Sequence, residues 1–388
     1  MVHEFRNQIK PYSSCFFMAY FLPLTGCVAA GISSHYIVFK VCFVLGLAFL
    51  AIKAWLTDYE KYEIITMILF MILLGYVFYR TREKSLIITT ITIFGCKDVD
   101  VRRVLKYTLF VYITGVAVRF GISWLKISPG KYFTSTKSGA IKLIYDFGFS
   151  HPNSAYNHIF MICLMIVAVW RNKVLWYHYV LMTIVMFAFY NLFFSRTGAL
   201  TYLVLCILLL MLYIVKDNNI RRKIGLLYSL VPLSMALLSY LCLLLYPMHI
   251  FYLDKFNQYL TRRIELSYNA VKISGIYWLG SVDKSWLNKY YVDNAYINIL
   301  INYGGLITII CILSYLVSAI YYWKNEEYYI LVFLATMSIY AFMEYSPVNI
   351  TWNPILLFIS DGIFKTFEKE NIISSKFHKN RYIPNDMS

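Results

Sequence analysis

The stretch NLFFSRTGALTYLVLCILLLMLYIV, residues 191–215, decides the fold class, because two apolar runs meet there around a single arginine, Arg196. The run that follows Arg196 is long enough to cross a bilayer as a helix, which takes about 20 mostly apolar residues. Similar blocks recur along the 388 residues, of which 60% are hydrophobic and only 14% are charged. Composition and block length therefore indicate a polytopic membrane protein.

The apolar blocks are continuous runs instead of alternating ten-residue segments, so they predict helices and not barrel strands. The predicted class is all-α, with one membrane domain over residues 1–388, because no linker or internal repeat marks a second domain. About twelve transmembrane helices are predicted by length and apolarity. They lie near 14–32, 36–56, 61–79, 85–96, 107–126, 155–170, 174–193, 198–215, 224–246, 297–320, 328–343 and 348–364.

The cysteines give no sign of a disulfide framework, since all eight fall in or at the edge of predicted spans. Cys27 ends a sequence, Leu24-Thr25-Gly26-Cys27, that is similar to a lipoprotein cleavage site. The many spans after it favour a start-anchor helix, so residues 1–32 are expected to be part of the fold.

Basic residues predict that both termini are cytoplasmic. With that orientation the inner segments hold 20 of the 36 lysines and arginines, whereas the short outer turns hold only Arg80, Arg82, Lys84 and Arg196. The long connectors, 127–154 and 247–294, then lie outside, and their basic residues invite an anionic partner. The net charge of +16 is spread over inner loops that meet acidic lipid headgroups, which excludes nucleic acid as a partner.

Three predicted spans begin at the outer surface with unusual sequences. They open with His151-Pro152-Asn153-Ser154, Ser195-Arg196-Thr197-Gly198 and Asp293-Asn294-Ala295-Tyr296. Asn153, Ser195 and Asp293 are good N-cap residues, and capping alone would explain them. It does not explain Arg196, because a cation in the first turn opposes the helix dipole unless an anion lies between them. A guanidinium at a helix N-terminus is typical of a phosphate site, and the alternative is an arginine that reaches lipid headgroups.

The outer loop 247–294 adds further cations. Apolar positions from Ile250 to Ile273 recur at helical spacing, which predicts an amphipathic helix on the interface or on the bundle. Arg262 can pair with Glu265, whereas Arg263 is expected to lack an acidic partner and could reach a ligand at the membrane surface.

Asn294, Asn298 and Asn302 form one polar stripe, spaced at four residues, along the predicted tenth span. Such stripes either join helices or line a cavity, and both interpretations stay open. No HExxH motif, Cys/His cluster or Walker loop occurs in the sequence, so no metal, nucleotide or other cofactor is expected.

Four motifs together resemble one family. They are FSHPN at 149–153, SRTG at 195–198, LTRR at 260–263 followed by Gly280, and DNAYINILINYGG at 293–305. In this order and placement they resemble the Wzy-type polymerases of O-antigen, capsule and exopolysaccharide repeat units, which belong with the O-antigen ligases. The resemblance covers the topology of the whole chain and, by motif, mainly residues 148–305.

The resemblance implies a glycosyl transfer at the outer face of a bacterial cytoplasmic membrane. A growing chain would pass from undecaprenyl diphosphate to a sugar hydroxyl on the next lipid-linked repeat unit, without metal or nucleotide. Implied partners are the lipid-linked oligosaccharide, the bilayer, a chain-length regulator and other polysaccharide assembly proteins. A ligase that attaches finished chains to another acceptor is the first alternative.

In the family two outer arginines handle the diphosphate, and here Arg196 and Arg263 match them. Arg262 is an alternative to Arg263, because Thr261-Arg262-Arg263 lacks the glycine that is frequent there. The ligases carry His-Asn where this chain has Asp293-Asn294, so Asp293 is either the catalytic base or only a cap. His151 is the other candidate base. The expected catalytic residues are Asp293, Arg263 and Arg196. The expected substrate-binding residues are His151, Asn153, Arg262, Asn294, Tyr296 and Asn298.

A flippase for the same lipid is the rival from another class. Such a transporter would be expected to line its middle with charges. The predicted spans hold few charges, and Lys40, Arg119, Glu344 and Asp361 lie toward span ends instead. An enzyme with one outer site is therefore the favoured prediction.

Overall fold

The computed structural model describes residues 2–135, 142–171, 173–287 and 289–368. Most of the described chain is helical, including residues 357–368 near its end. The other helices are α1 Val2–Ile9, α2 Ser13–Ala29, α3 Ile37–Leu56, α4 Lys61–Thr81, α5 Ser85–Gly95, α6 Val101–Trp124, α7 Pro152–Trp170, α8 Trp176–Phe193, α9 Arg196–Ile214, α10 Asn218–Leu245, α11 Phe251–Tyr259, α12 Arg263–Ser274, α13 Ala295–Tyr303, α14 Gly305–Lys324 and α15 Tyr328–Met343. Four short 3-10 turns join or extend them, at Lys10–Tyr12, Tyr246–Met248, Ser346–Val348 and Pro354–Leu356.

Among the described residues, nine helices are long and apolar enough to cross a membrane. They are Arg6–Ala29, Ile37–Leu56, Lys61–Thr81, Val101–Trp124, Pro152–Trp170, Trp176–Phe193, Arg196–Ile214, Asn218–Met248 and Gly305–Lys324. Ser85–Gly95 and Tyr328–Met343 are apolar but shorter. The chain is thus an all-α, multi-pass membrane protein, as its composition predicts.

Lipid-facing and central helices differ in burial. In α4 and α8 only 17% of the apolar window is buried inside the protein, so leucines and isoleucines such as Leu69 and Ile184 project outward. Most of α7 is buried, and α15 packs between α7, α9 and α10 with nearly every side chain enclosed. Because α15 meets protein on all sides, its 16 residues need not match the thickness of the bilayer.

The first long connector contains a small β-ribbon that the all-α prediction does not include. Strands β1, Tyr132–Ser135, and β2, Lys142–Tyr145, pair antiparallel with Tyr132 opposite Tyr145. Oδ1 of Asp146 accepts hydrogen bonds from the backbone N–H groups of Lys131 and Gly148, both at 2.7 Å, and so closes the base of the ribbon.

The predicted tenth span, 297–320, is wrong as a single helix. It is divided into α13 and α14 at Gly304, whose φ of 89° lies in the region that only glycine adopts readily. A Cβ at Gly304 would lie 2.3 Å from the backbone nitrogen of Gly280, so this glycine also permits a close approach of the outer loop. The backbone N–H of Gly305 donates to the carbonyl of Tyr277 at 3.0 Å.

The amphipathic helix predicted from Ile250 to Ile273 is likewise two helices, α11 and α12. The chain turns between them at Thr261 and Arg262, which have φ values of 55° and 63°. Their apolar side chains, including Leu253 and Ile264, pack against α10 and the end of α15. The loop therefore rests on the bundle, which is one of the two predicted placements.

Candidate functional site

The break between α11 and α12 places Arg263 at the start of a helix. Oδ1 of the buried Asn257 accepts hydrogen bonds from the backbone N–H groups of Ile264 and Glu265, at 3.1 and 3.2 Å. This side chain from α11 thus caps α12 in place of Arg262, which occupies the N-cap position. Arg263 follows directly and projects toward the ends of α9, α13 and α15.

Arg263 joins two carboxylates that are distant in sequence. Its Nε lies 3.2 Å from Oδ2 of Asp293, and its Nη2 donates to Oε1 of Glu344 at 3.0 Å. The Arg263 and Glu344 side chains are only 12% and 15% exposed, whereas that of Asp293 is 36% exposed. The expectation that Arg263 lacks an acidic partner is therefore wrong, because sequence spacing reveals partners only within one helix.

The environment shifts the pKa values of two members of this ion-pair cluster. Burial raises the pKa of Asp293 above its usual value; Arg263 and His151 act to lower it, and the charge on Glu344 raises it further. For Arg263, burial acts to lower the pKa, but Glu344 and Asp293 hold it above its ordinary value. The guanidinium is permanently charged, and Asp293 is a stronger base than an ordinary aspartate.

Glu344 is the member of the cluster that the motifs do not contain. It follows α15 directly and accepts a hydrogen bond from Oγ1 of Thr197 at 3.1 Å, on the same Oε1 atom that binds Arg263. An acid at the end of an otherwise apolar span was the available signal in the sequence. Since Thr197 follows Arg196, this bond brings the start of α9 to the cluster.

Arg196 is the first residue of α9 and is exposed. Ser195 takes the N-cap position as predicted, although its side chain makes no capping hydrogen bond. Gly198 is required by packing, because a Cβ there would lie 2.3 Å from Cδ1 of Tyr156 on α7. The SRTG motif thus combines a close contact between α7 and α9 with a cation at a positive helix end.

His151, and not Asn153, is the N-cap of α7. Its Nδ1 accepts a hydrogen bond from the backbone N–H of Asn153 at 3.1 Å, so a neutral ring carries its proton on Nε2. The exposed imidazole packs edge-on against Phe133 of β1, with ring centroids 5.1 Å apart. In its charged form His151 also acts to lower the pKa of Asp293.

Asp293 does not cap α13, so the capping interpretation of this residue is wrong. Asn294 is the N-cap, and its Oδ1 accepts from the backbone N–H of Ile297 at 3.1 Å. The carboxylate of Asp293 is instead turned to Arg263. The two alternatives for Asp293 were a catalytic base and a helix cap, and Asn294 is the residue that caps α13.

The asparagine stripe of α13 has its partners inside the protein. Asn302 donates to Asn298 at 2.7 Å, and Asn298 donates to the carbonyl of Val292 at 2.9 Å. Lys284 of the outer loop donates to Asn302 and lies 3.8 Å from Glu83. These contacts favour the role of joining helices and loops over that of lining a cavity.

Two more expected substrate-binding groups also have internal partners. Nδ2 of Asn294 donates to Oγ of Ser239 at 2.9 Å, and the Tyr296 hydroxyl donates to the carbonyl of Ser338 at 3.0 Å. Arg262 is exposed in the turn before α12, and the expected ion pair with Glu265 is not among those of the described residues. No group of three His, Cys, Asp or Glu that could hold a metal ion occurs within the described ranges.

The fold and the cluster define a class: a multi-pass helical membrane protein with a partly buried Arg–Asp–Glu network where α9, α13 and α15 meet. Comparison with family models, with curated proteins and with solved structures gives no match.

Proposed function

We propose that this protein polymerises undecaprenyl-diphosphate-linked oligosaccharide repeat units at the outer face of the bacterial cytoplasmic membrane. The observation that carries the proposal is the Arg263 network, because it gathers residues from three of the motifs that resemble the Wzy-type polymerases. Asp293, the most exposed of its charged members, is the one that a substrate can reach.

The reaction needs one proton acceptor and one site for the leaving group. The acceptor hydroxyl attacks the anomeric carbon of the donor, a new glycosidic C–O bond forms, and the C–O bond to the diphosphate breaks. The electron pair leaves with undecaprenyl diphosphate, and the hydroxyl proton passes to the Asp293 carboxylate. A raised pKa makes that carboxylate a better proton acceptor.

Arg196 is the residue to which we assign the diphosphate. It is exposed at the positive end of α9, where a guanidinium and the helix dipole both favour an anion that bears developing charge. Arg263 already joins two carboxylates, so its part is to orient Asp293 toward the acceptor. Glu344, half-buried beside Thr197, holds Arg263 in that position.

The test is a reaction of the purified protein with undecaprenyl-diphosphate repeat units alone. A ladder of chain lengths is expected from the wild-type protein, and Asp293→Asn should lose it. Asp283→Asn, an exposed acid in the same outer loop, is the matched control and should keep the ladder. Product that forms only after addition of a different acceptor would indicate the ligase. Movement of the lipid across a vesicle bilayer without new glycosidic bonds would indicate the transporter.

A further inference from the structure

The opposite end of the bundle holds a basic cavity of about 430 Å³, between the start of α6 and the end of α7. Its volume falls in the range of about 300–1,000 Å³ that is typical of small-molecule sites. Five cations and one acid line it: Arg102, Arg103, Lys106, Arg171, Lys173 and Asp100. None of the residues assigned to glycosyl transfer belongs to this cavity, so a ligand bound there would be independent of the proposed function.

The carboxylates nearby do not balance these cations. Glu327 is shared, since Nη1 of Arg171 and Nη2 of Arg102 both bind it, the latter at 3.3 Å. Asp100 lies 3.9 Å from Arg103. Among the described residues, neither Lys106 nor Lys173 takes part in an ion pair. The cavity therefore carries a surplus of positive charge.

The cavity also has built features beyond exposed lysines. The Arg171 side chain is only 18% exposed, and its Nε is buried without a hydrogen-bond partner in the described part of the chain. Its guanidinium lies 5.8 Å from the centre of the Tyr329 ring. The N-terminus of α6, capped by Asp100, adds its partial positive charge on the same side.

We propose that this cavity binds a phosphate-bearing anion, and that the anion is the headgroup of an acidic membrane lipid. Basic pockets between transmembrane helices bind such headgroups. Tyr107 and Trp170, which are 49% and 39% exposed, flank the cations. Tyrosine and tryptophan are enriched where membrane proteins meet the lipid headgroups. A free polyphosphate offers the same chemistry from solution and is distinguished by the experiment.

A topology signal requires cationic side chains on this side of the membrane but no particular cavity. Two matched double variants test whether binding depends on the cavity or only on positive charge at this end of the bundle. Lys106→Gln/Lys173→Gln removes two charges that line the cavity. Lys216→Gln/Lys223→Gln removes two exposed charges at the start of α10, on the same end of the bundle but outside the cavity.

Binding of phosphatidylglycerol to the purified full-length protein in detergent is measured by native mass spectrometry, with phosphatidylcholine as the neutral lipid. The cavity variant should bind phosphatidylglycerol about thirtyfold more weakly, since each basic residue near a headgroup contributes about 1 kcal/mol. The Lys216/Lys223 variant should stay close to wild type. The proposal would be overturned if the two variants weakened phosphatidylglycerol binding and pyrophosphate binding to the same extent. It would also be overturned if neither variant weakened the binding of either ligand.

Pyrophosphate binding is measured by calorimetric titration of the same variants with the inorganic anion. If the cavity variant loses pyrophosphate binding but keeps phosphatidylglycerol binding, the anion comes from solution and not from the lipid. Asp100→Asn should strengthen anion binding, a result that unfolding cannot mimic. Asparagine keeps the capping oxygen of α6 and removes the one acid among the described residues that line the cavity. Unchanged or weaker binding by this variant would argue against the site.

Discussion

At one end of the bundle Arg263 joins two carboxylates, Asp293 and Glu344, whereas at the other end Glu327 joins two guanidiniums, those of Arg102 and Arg171. The two clusters use the same interaction with opposite stoichiometry. A surplus of carboxylate favours proton uptake, because like charges raise one another's pKa, whereas a surplus of guanidinium favours an anion. In each cluster the charge in excess therefore indicates what the cluster can bind, which is a proton at the Arg263 end and an anion at the Glu327 end.

The comparison of the Arg263 and Glu327 clusters requires that the two ends of the bundle lie on opposite sides of the membrane. Single cysteines at Ser285 and at Asn219, in a background without the eight native cysteines, test this because both positions are exposed. With cytoplasmic termini, Ser285→Cys should react with an impermeant reagent in intact cells, and Asn219→Cys only after lysis. The reverse pattern would place the Arg263 cluster inside and exclude an outer reaction.

Asp293→Asn keeps the shape of the side chain but removes its capacity to accept a proton. It therefore tests the function of the carboxylate-rich cluster around Arg263. Turnover should fall by about 10² to 10⁴, with donor binding largely retained. The fall cannot be due to a lost cap, since Asn294 performs that role. Initial rates and donor affinity of purified protein are the measurements, with Asp283→Asn as the control. A normal rate would leave His151 as the base to test.

Arg263→Lys keeps the charge but cannot reach both carboxylates with one planar group. Misplacement of Asp293 should then lower turnover by about a hundredfold, while Arg262→Lys, one residue earlier, should change it little. Membrane yield and melting temperature of each variant separate this loss from misfolding. Loss with Arg262→Lys and normal turnover with Arg263→Lys would reverse the assignment of these two arginines.

Glu344→Gln sharpens the comparison, because it removes the carboxylate surplus and keeps an oxygen for Arg263 and Thr197. A base works only when deprotonated, so the raised pKa of Asp293 places the acid limb of the rate above the usual range of an aspartate, about 3.9. Without the charge of Glu344 the pKa should fall and the acid limb should move to lower pH. A pH–rate profile that does not move would separate Glu344 from the chemistry.

Much of the site could be found in the sequence, and specific parts could not. Arg196, Arg263, Asp293 and His151 stand out as polar residues at helix starts. The structure pairs Arg263 with Asp293 and, through Glu344, brings Thr197, the neighbour of Arg196, to the same cluster. The sequence marks Glu344 as a charge near a span end but does not assign it to the site, because it lies 51 positions beyond Asp293 and reaches Arg263 only through the packing of α15. The N-caps of α7 and α13 were each misplaced by one or two residues, since several adjacent residues can cap.

The sequence by itself determined that this is a helical membrane protein, because continuous apolar runs in a bilayer have only one way to satisfy their backbone hydrogen bonds. It also marked most of the charged residues at the ends of those runs. The breaks at Gly304 and at Thr261–Arg262, the partners of Arg263 and the basic cavity between α6 and α7 were decided by the tertiary structure. The physical reason is distance along the chain. Burial and partners from remote helices set the charge balance of each cluster, and the spacing of residues within one segment does not reveal them.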